Sequence, residues 1–565
     1  MKKLMRLKKK EGLMSTTSTK LFRVGSATML VLGIVACGTN QPASTEGAPP
    51  PRVSVGQETL EGAFSGETTS EIVFKGVPYA APPVGDNRWR PPATHRPRSG
   101  VQSAVDFSPA CIQPPWNVAF ARNIAGKFGS DPNLVPALGE TSEDCLYLNV
   151  WSSNFGGDEP LPVMVWIHGG SNVAGAGSEA TYDGKNLASK GVVVVTINYR
   201  LNVLGFFAHP GLTSESERGV SGNYGLLDQI AALEWVQRNI AAFGGDPGRV
   251  TIFGESAGAV DVGYLMASPL ADGLFHRAIS QSGGYTIAET RTLADVEAQG
   301  VQLVEKLGMA DETDALGAMR AKDAGELMAE TFAAFPKGVN LGPAKDGWFL
   351  PELPGHVFSA GKQRDVPLMI GVNADEWATL RFFTPKHTVE SFRAALLWTY
   401  GAKGEQAEAL YAVESAEELQ AALDRWMTDL VFVGPSIYMA RSMANVPSNT
   451  FFYVFSRRLP GPGGDDLGAF HAAELPYVWD NLNLNPWVPY EDYDRELADI
   501  MSSYWVQFAA TGDPNGGDLP TWPSFGTDAE SYLDFGDVVE AMRDFRAEET
   551  EAYSAVIEGA MAGSR

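Results

Sequence analysis

Five runs of apolar, largely β-branched residues recur along this 565-residue chain: PVMVWIHG (162–169), GVVVVTINYR (191–200), RVTIFGES (249–256), RAISQSG (277–283) and VPLMIGVNADE (366–376). Each is nearly continuous in apolar residues, the pattern of a strand covered on both faces. Between the second and third lies NYGLLDQIAALEWVQRNIAAFGG (223–245). There Leu226, Leu227, Ile230, Leu233, Trp235, Val236 and Ile240 suit an amphipathic helix, and Gly244-Gly245 ends it. Strand–helix–strand alternation predicts an α/β architecture, a mainly parallel sheet with helices on both faces. Residues 284–365 and 385–450 read as helix-rich insertions. No second linker or repeat follows, so residues 56–560 are expected to form one domain with helical insertions.

The N-terminus is a separate piece. Residues 1–23 carry eight Lys/Arg and one acid, and an apolar run (24–36) then leads to Cys37. A basic region followed by a short apolar one reads as a secretory signal, residues 1–36, too short to span a membrane as a matter of course. Ile34-Val35-Ala36-Cys37-Gly38 resembles the lipobox of bacterial lipoproteins, which implies lipidation of Cys37, export and membrane anchoring at the cell envelope. Residues 37–55, rich in Pro, Ser, Thr and Gly, are expected to be a flexible tether. If Cys37 carries lipid, Cys111 and Cys145 remain, and two cysteines in an exported chain point to one disulfide. The formal net charge of −25 argues against a nucleic-acid partner, since phosphate binding needs basic patches.

The third run carries a candidate for chemistry. Gly254-Glu255-Ser256-Ala257-Gly258 follows a strand and opens a helix. Small residues at −2 and +2 allow the strained strand-to-helix turn that lifts a serine hydroxyl out of a sheet. The following helix N-terminus then faces any negative charge that develops there. Serine needs a base to take its proton, and in such folds acid and histidine follow the serine in sequence. Of the seven histidines, His276, His356, His387 and His471 come after Ser256. His276 is too close to the turn, and His356 and His387 fall in or beside the insertions. His471 follows the strand TFFYVFS (450–456) in a glycine-containing loop, at the sheet edge where open α/β sheets bind ligands. Asp375 and Glu376 end the fifth run, and either is a candidate acid.

Taken together, FKGVPYAAPPVGDNRWRPP (74–92), SEDCLYLNVW (142–151), VMVWIHGG (163–170), GESAG (254–258), FHRAISQSG (275–283), GVNADE (371–376) and FHAAELPYVW (470–479) resemble the type B carboxylesterases of the cholinesterase and para-nitrobenzyl esterase group. The resemblance spans about residues 52 to 535. It implies an α/β-hydrolase fold and hydrolysis of small-molecule carboxylic esters without metal or cofactor. It further implies Ser256 as nucleophile, Glu376 as acid and His471 as base, with N–H groups of Gly170, Ser171 and Ala257 as the oxyanion hole. Glu255 and Ser282 would support the triad from behind. Cys111 and Cys145 would form the disulfide, and Arg88 and Glu143 an ion pair near it.

The sequence departs from the family pattern at three places. Ser171 replaces the usual third glycine, which is expected to reshape the oxyanion hole and narrow the acyl pocket. Trp377 follows the acid where glycine is common. Val135 stands where cholinesterases carry the tryptophan that stacks on quaternary ammonium, and Trp116 is out of register, so no choline specificity is expected. An amidase, a transacylase or a lipase would use the same three residues. A non-catalytic binding protein of this family would have lost the serine.

Overall fold

A computed structural model describes residues 44–284, 291–310, 314–335, 341–526 and 529–563. The expected signal segment and Cys37 lie outside the described residues. The main sheet has eleven strands. In chain order these are β1 (Ala63–Phe64), β2 (Ile72–Pro78), β3 (Tyr147–Ser152), β4 (Leu161–Ile167), β5 (Val193–Ile197), β6 (Gly245–Glu255), β7 (Arg277–Gln281), β8 (Leu368–Asn373), β9 (Thr450–Phe455), β10 (Ser531–Phe535) and β11 (Val539–Arg543). Their spatial order is β11-β10-β9-β8-β7-β6-β4-β5-β3-β2-β1. Every neighbouring pair from β10 to β5 is parallel. The outer pairs on both edges are antiparallel.

The five apolar runs are five of the parallel strands, and burial explains their composition. β5, β8 and β9 are buried at every residue. Successive side chains of a strand point to opposite faces, so each strand feeds two cores. Val163, Val165 and Ile167 join one, while Met164 and Trp166 join the other. Fully burying a large apolar side chain contributes about 1.5–3 kcal/mol, so neither face tolerates a polar residue without cause.

Helices cover both faces. They include α1 (Trp116–Lys127), α2 (Tyr224–Asn239), α3 (Ala257–Ala267), α4 (Leu293–Lys306), α5 (Ala324–Ala334), α6 (Val389–Tyr400), α7 (Leu419–Thr428), α8 (Gly434–Ser442) and α9 (Asp492–Thr511). After α2 the chain tightens into a 3-10 turn at Ile240–Phe243, and Gly244 ends it at φ 84°, a conformation that costs glycine little. α4 and α5 belong to the first expected insertion and α6 to α8 to the second. A π-helical turn, Asp429–Val433, joins α7 to α8.

After β4 the chain places β5 on one side and returns to place β6 on the other. Where the order reverses, the carboxyl ends of the strands leave a crevice. One expectation needs correction. The tether does not reach residue 55, because Arg52–Val55 pair antiparallel with Glu58–Glu61. Val53 is buried, so this alternating four-residue strand belongs to the folded body despite its proline-rich approach.

Candidate active site

β6 ends at Glu255 and α3 begins at Ala257, which leaves Ser256 alone in the turn. Its φ of 54° and ψ of −124° lie outside the broad allowed regions for L-residues. Such a conformation costs roughly 1–3 kcal/mol and must be held by its surroundings. Ser256 N–H donates to the Gln281 carbonyl at 2.9 Å, and the Ser256 carbonyl accepts from Ala259 and Val260 N–H at 3.0 Å. The flanking glycines are required for space. A Cβ on Gly258 would lie 2.1 Å from the Ile167 carbonyl oxygen, and one on Gly254 would lie 2.6 Å from Gly258. Glu255 is buried, whereas Ser256 is half-buried. Ala257 N–H, at the first position of α3, has no intrahelical acceptor and sits at the positive end of the helix dipole.

The loop after β4 comes to the same place. A Cβ on Gly169 would lie 3.1 Å from Ser256 Cβ and 2.7 Å from the Glu255 carbonyl oxygen. Gly170, Ser171 and Asn172 follow with φ of 101°, 59° and 56°, three successive residues on the left-handed side of φ that L side chains rarely adopt. Ser171, the departure from the family pattern, adopts the left-handed conformation that the usual glycine would take without strain. From Ser171 to Gly177 it is the one exposed residue, so its side chain projects away from the packed loop. His168 stacks on Tyr199 with ring centroids 4.4 Å apart. Burial pushes the His168 pKa down to about 4, so it is a neutral structural ring.

Asp375 and Glu376, alternatives in the sequence, play different parts. Glu376 is fully buried, and its Oε2 lies 2.6 Å from His471 Nδ1. Its other oxygen accepts the Asn373 N–H at 2.8 Å. Asp375 turns to the backbone instead. Its Oδ2 accepts Ala469 N–H at 3.0 Å, and its own N–H donates to the Ala469 carbonyl at 3.0 Å. Gly468, at φ 65°, is where a Cβ would come 2.1 Å from Asp375 Oδ2. Asp375 therefore pins the loop that carries His471, while Glu376 meets the ring.

His471 Nε2 faces Glu255 Oε1 at 3.1 Å. Glu474, one turn beyond His471, is also buried. It accepts from Gln281 Nε2 at 3.1 Å and Asn373 Nδ2 at 2.7 Å. Burial pushes Glu255 up to about 8 and raises Glu474 as well. For His471 burial works the other way, but the Glu255 and Glu376 carboxylates outweigh it and raise the imidazole to about 9. Ser282 lies beside this cluster in sequence with φ 54°. Its buried hydroxyl has no hydrogen-bond partner among the described residues. Sequence reasoning missed Glu474, Asn373 and Gln281. Each stands within a motif that carried the resemblance, but nothing about its spacing marked it.

Trp377 is buried and does not touch the histidine ring directly. Its ring lies 6.3 Å from that of Phe432, which lies 4.8 Å from that of His471. Phe432 comes from the π-helical turn, a feature the sequence did not disclose. Elsewhere, Cys111 and Cys145 form a disulfide, and Arg88 makes a two-pronged pair with Glu143 at 2.6 and 2.7 Å. The loop between the cysteines braces the glycine loop. Gln113 exchanges two hydrogen bonds with Gly175, at 2.7 and 2.8 Å. Val135 is buried, while Trp116 is partly exposed against Phe332. Among the described residues no group of three or more His, Cys, Asp or Glu could hold a metal.

The description of one protein family, the carboxylesterase family, matches residues 50–553. The chain belongs to the carboxylesterase family. Fumonisin B1 esterase of Sphingopyxis macrogoltabida is 40% identical over 482 residues, 83% of this chain and 84% of that one. Para-nitrobenzyl esterase of Bacillus subtilis is 36% identical over 491 residues, 84% and 93%. A solved carboxylesterase of Geobacillus stearothermophilus superposes with a TM-score of 0.75 at 34% identity, covering 89% of this chain and 99% of its own. The protein is thus a serine carboxylesterase with the α/β-hydrolase fold.

Proposed function

We propose that this carboxylesterase works through Ser256, His471 and Glu376. His471 takes the Ser256 proton as Oγ attacks the ester carbonyl, and Glu376 orients the ring and stabilises its cation. The oxyanion is held by N–H groups of Gly170, Ser171 and Ala257. The alcohol leaves with the proton from His471. Water, deprotonated by His471, then cleaves the acyl-enzyme to release the acid and restore the serine. The carrying observation is the 2.6 Å contact between His471 and Glu376 beside the strained turn at Ser256. Glu255 stands at Nε2, the ring nitrogen on the side of the serine, and Ser282 supports the triad from behind. The substrate is a small-molecule ester, in keeping with relatives whose names speak of fumonisin B1 and para-nitrobenzyl esters. Ser256→Ala should abolish p-nitrophenyl acetate hydrolysis while leaving circular dichroism and thermal unfolding unchanged. Turnover in that variant refutes the assignment.

We also propose that the mature esterase is a lipoprotein, exported and anchored at the cell envelope through lipidated Cys37. The support is the basic and apolar N-terminal segment that ends in the lipobox-like Ile34–Gly38 stretch. Cys37→Ser should move the esterase from the membrane to the soluble fraction; if it stays with membranes, the anchoring assignment is wrong.

A further inference from the structure

α3 is an apolar, buried helix with one charged residue, Asp261. A buried carboxylate is costly unless its oxygens are satisfied, and α3 offers it nothing. Its partners come from two other segments. Oδ2 accepts Gln229 Nε2, from α2, at 2.6 Å. Oδ1 accepts Asn172 Nδ2, from the glycine loop, at 3.1 Å. Asp261 lies four residues beyond Ala257, hence on the same face of α3 one turn below it. It therefore ties the helix whose first N–H faces the site to the loop whose N–H groups face the same site.

The loop needs such a tie. Ser171 and Asn172 are two successive non-glycine residues at positive φ, each unfavourable on its own. The loop is fixed elsewhere by its backbone and by the Gln113 side chain at Gly175. The Asn172 carbonyl accepts Asn202 N–H at 2.8 Å, and the Gly170 carbonyl accepts Val173 and Ala174 N–H at 3.0 Å. The Asn172 side chain is the connection that runs under the site to α3. With it, the donors of Gly170 and Ser171 keep a fixed offset from the donor of Ala257.

We propose that Asp261, acting through Asn172, is a positioning residue that holds the two halves of the oxyanion hole in register. This rests on the triad and oxyanion-hole assignment above. Donor geometry matters because hydrogen-bond donors act on the transition state only when pre-placed, and small misplacements are expensive.

The test uses the mature esterase with Asn172→Ala, Asp261→Val, the double variant and the conservative Asp261→Asn. The amide oxygens of Asn172 and Gln229 have no partners among the described residues. Turning one amide over would therefore let an asparagine at 261 rebuild a bond to each neighbour. Competent sites are counted by titration with a fluorophosphonate, and the labelled residue is identified by mass spectrometry. The expected result is a fall in kcat per titrated site of about ten- to a hundredfold in both single variants with KM little changed. A trifluoromethyl ketone, which mimics the tetrahedral intermediate, should lose affinity by a similar factor. The double variant should be no worse than the poorer single one, and Asp261→Asn should recover most of the rate. If kcat per titrated site and ketone affinity stay at wild-type values while only stability or the count of sites falls, Asp261 is merely structural and the proposal is overturned. If the fluorophosphonate labels the wild-type esterase elsewhere than Ser256, the triad assignment itself fails and the proposal falls with it.

Discussion

Replacing Glu255 by Gln removes a charge from the far side of the His471 ring and leaves its contact with Glu376 in place. His471 Nε2 and Glu255 Oε1 are 3.1 Å apart, both largely buried. Two unit charges that close interact by ~5 kcal/mol at an effective dielectric constant of about 20. At 1.36 kcal/mol per pH unit, that would move the His471 pKa by ~4 units if Glu255 were fully ionised. Burial holds the Glu255 pKa near 8, below the raised value of about 9 for His471, so the carboxylate is largely ionised where the ring titrates. The expected change is therefore a drop of the His471 pKa, with ~4 units as its upper bound. His471 is active as a base only when neutral, so kcat/KM for a p-nitrophenyl ester should rise with pH through the free-enzyme pKa. In the wild type this limb should lie above the ordinary 6.5, in the direction of the raised value of about 9. In Glu255→Gln it should move to lower pH, with little dependence on salt because the pair is buried. The same raised pKa predicts that His471 stabilises the fold fully below about pH 6.5 and that this contribution is lost as pH rises through about 9. A limb that stays put or moves up in Glu255→Gln refutes this account of the site's electrostatics.

Glu376→Gln should cut kcat by several orders of magnitude, as loss of the orienting carboxylate does in other triads, whereas Asp375→Asn should cost far less and act mainly by loosening the Ala469 contacts. Steady-state kinetics of the two variants decides it, and a greater loss in Asp375→Asn would reverse the assignment. Ser171→Gly should raise stability by about 1 kcal/mol by relieving the left-handed strain, read from urea unfolding. A fall in stability would show that the serine side chain contributes more than its backbone costs.

The parallel sheet and the turn at Ser256 were legible because they are local. Strands buried on both faces must be apolar throughout, and a serine between two small residues after such a strand admits few conformations. The choice of His471 also followed from chain order and strand ends. What escaped the sequence depends on contacts between distant segments. Asp375 and Glu376 are neighbours of the same chemistry, and only the loop around Ala469 separates their roles. Phe432 reaches His471 because one helical turn is widened, which leaves no compositional trace. Asp261 takes its partners from Gln229 and Asn172, 32 and 89 residues away in sequence, and nothing in its own helix marks them. The strand at Arg52–Val55 was hidden by the prolines that precede it and by being four residues long.

The residues proposed for catalysis lie at 256, 376 and 471, and they meet only when β6, β7, β8 and β9 lie side by side. Each of those pairings joins segments far apart in sequence, and the β8–β9 register alone links residues 368 and 450. Such non-local pairing forms late and slowly. A nascent or partly assembled chain can therefore form the Ser256 turn without bringing a base to it. Hydrolytic activity in this esterase should appear as an all-or-none reporter of completed assembly, and a refolding time course followed by turnover should lag behind one followed by helix content.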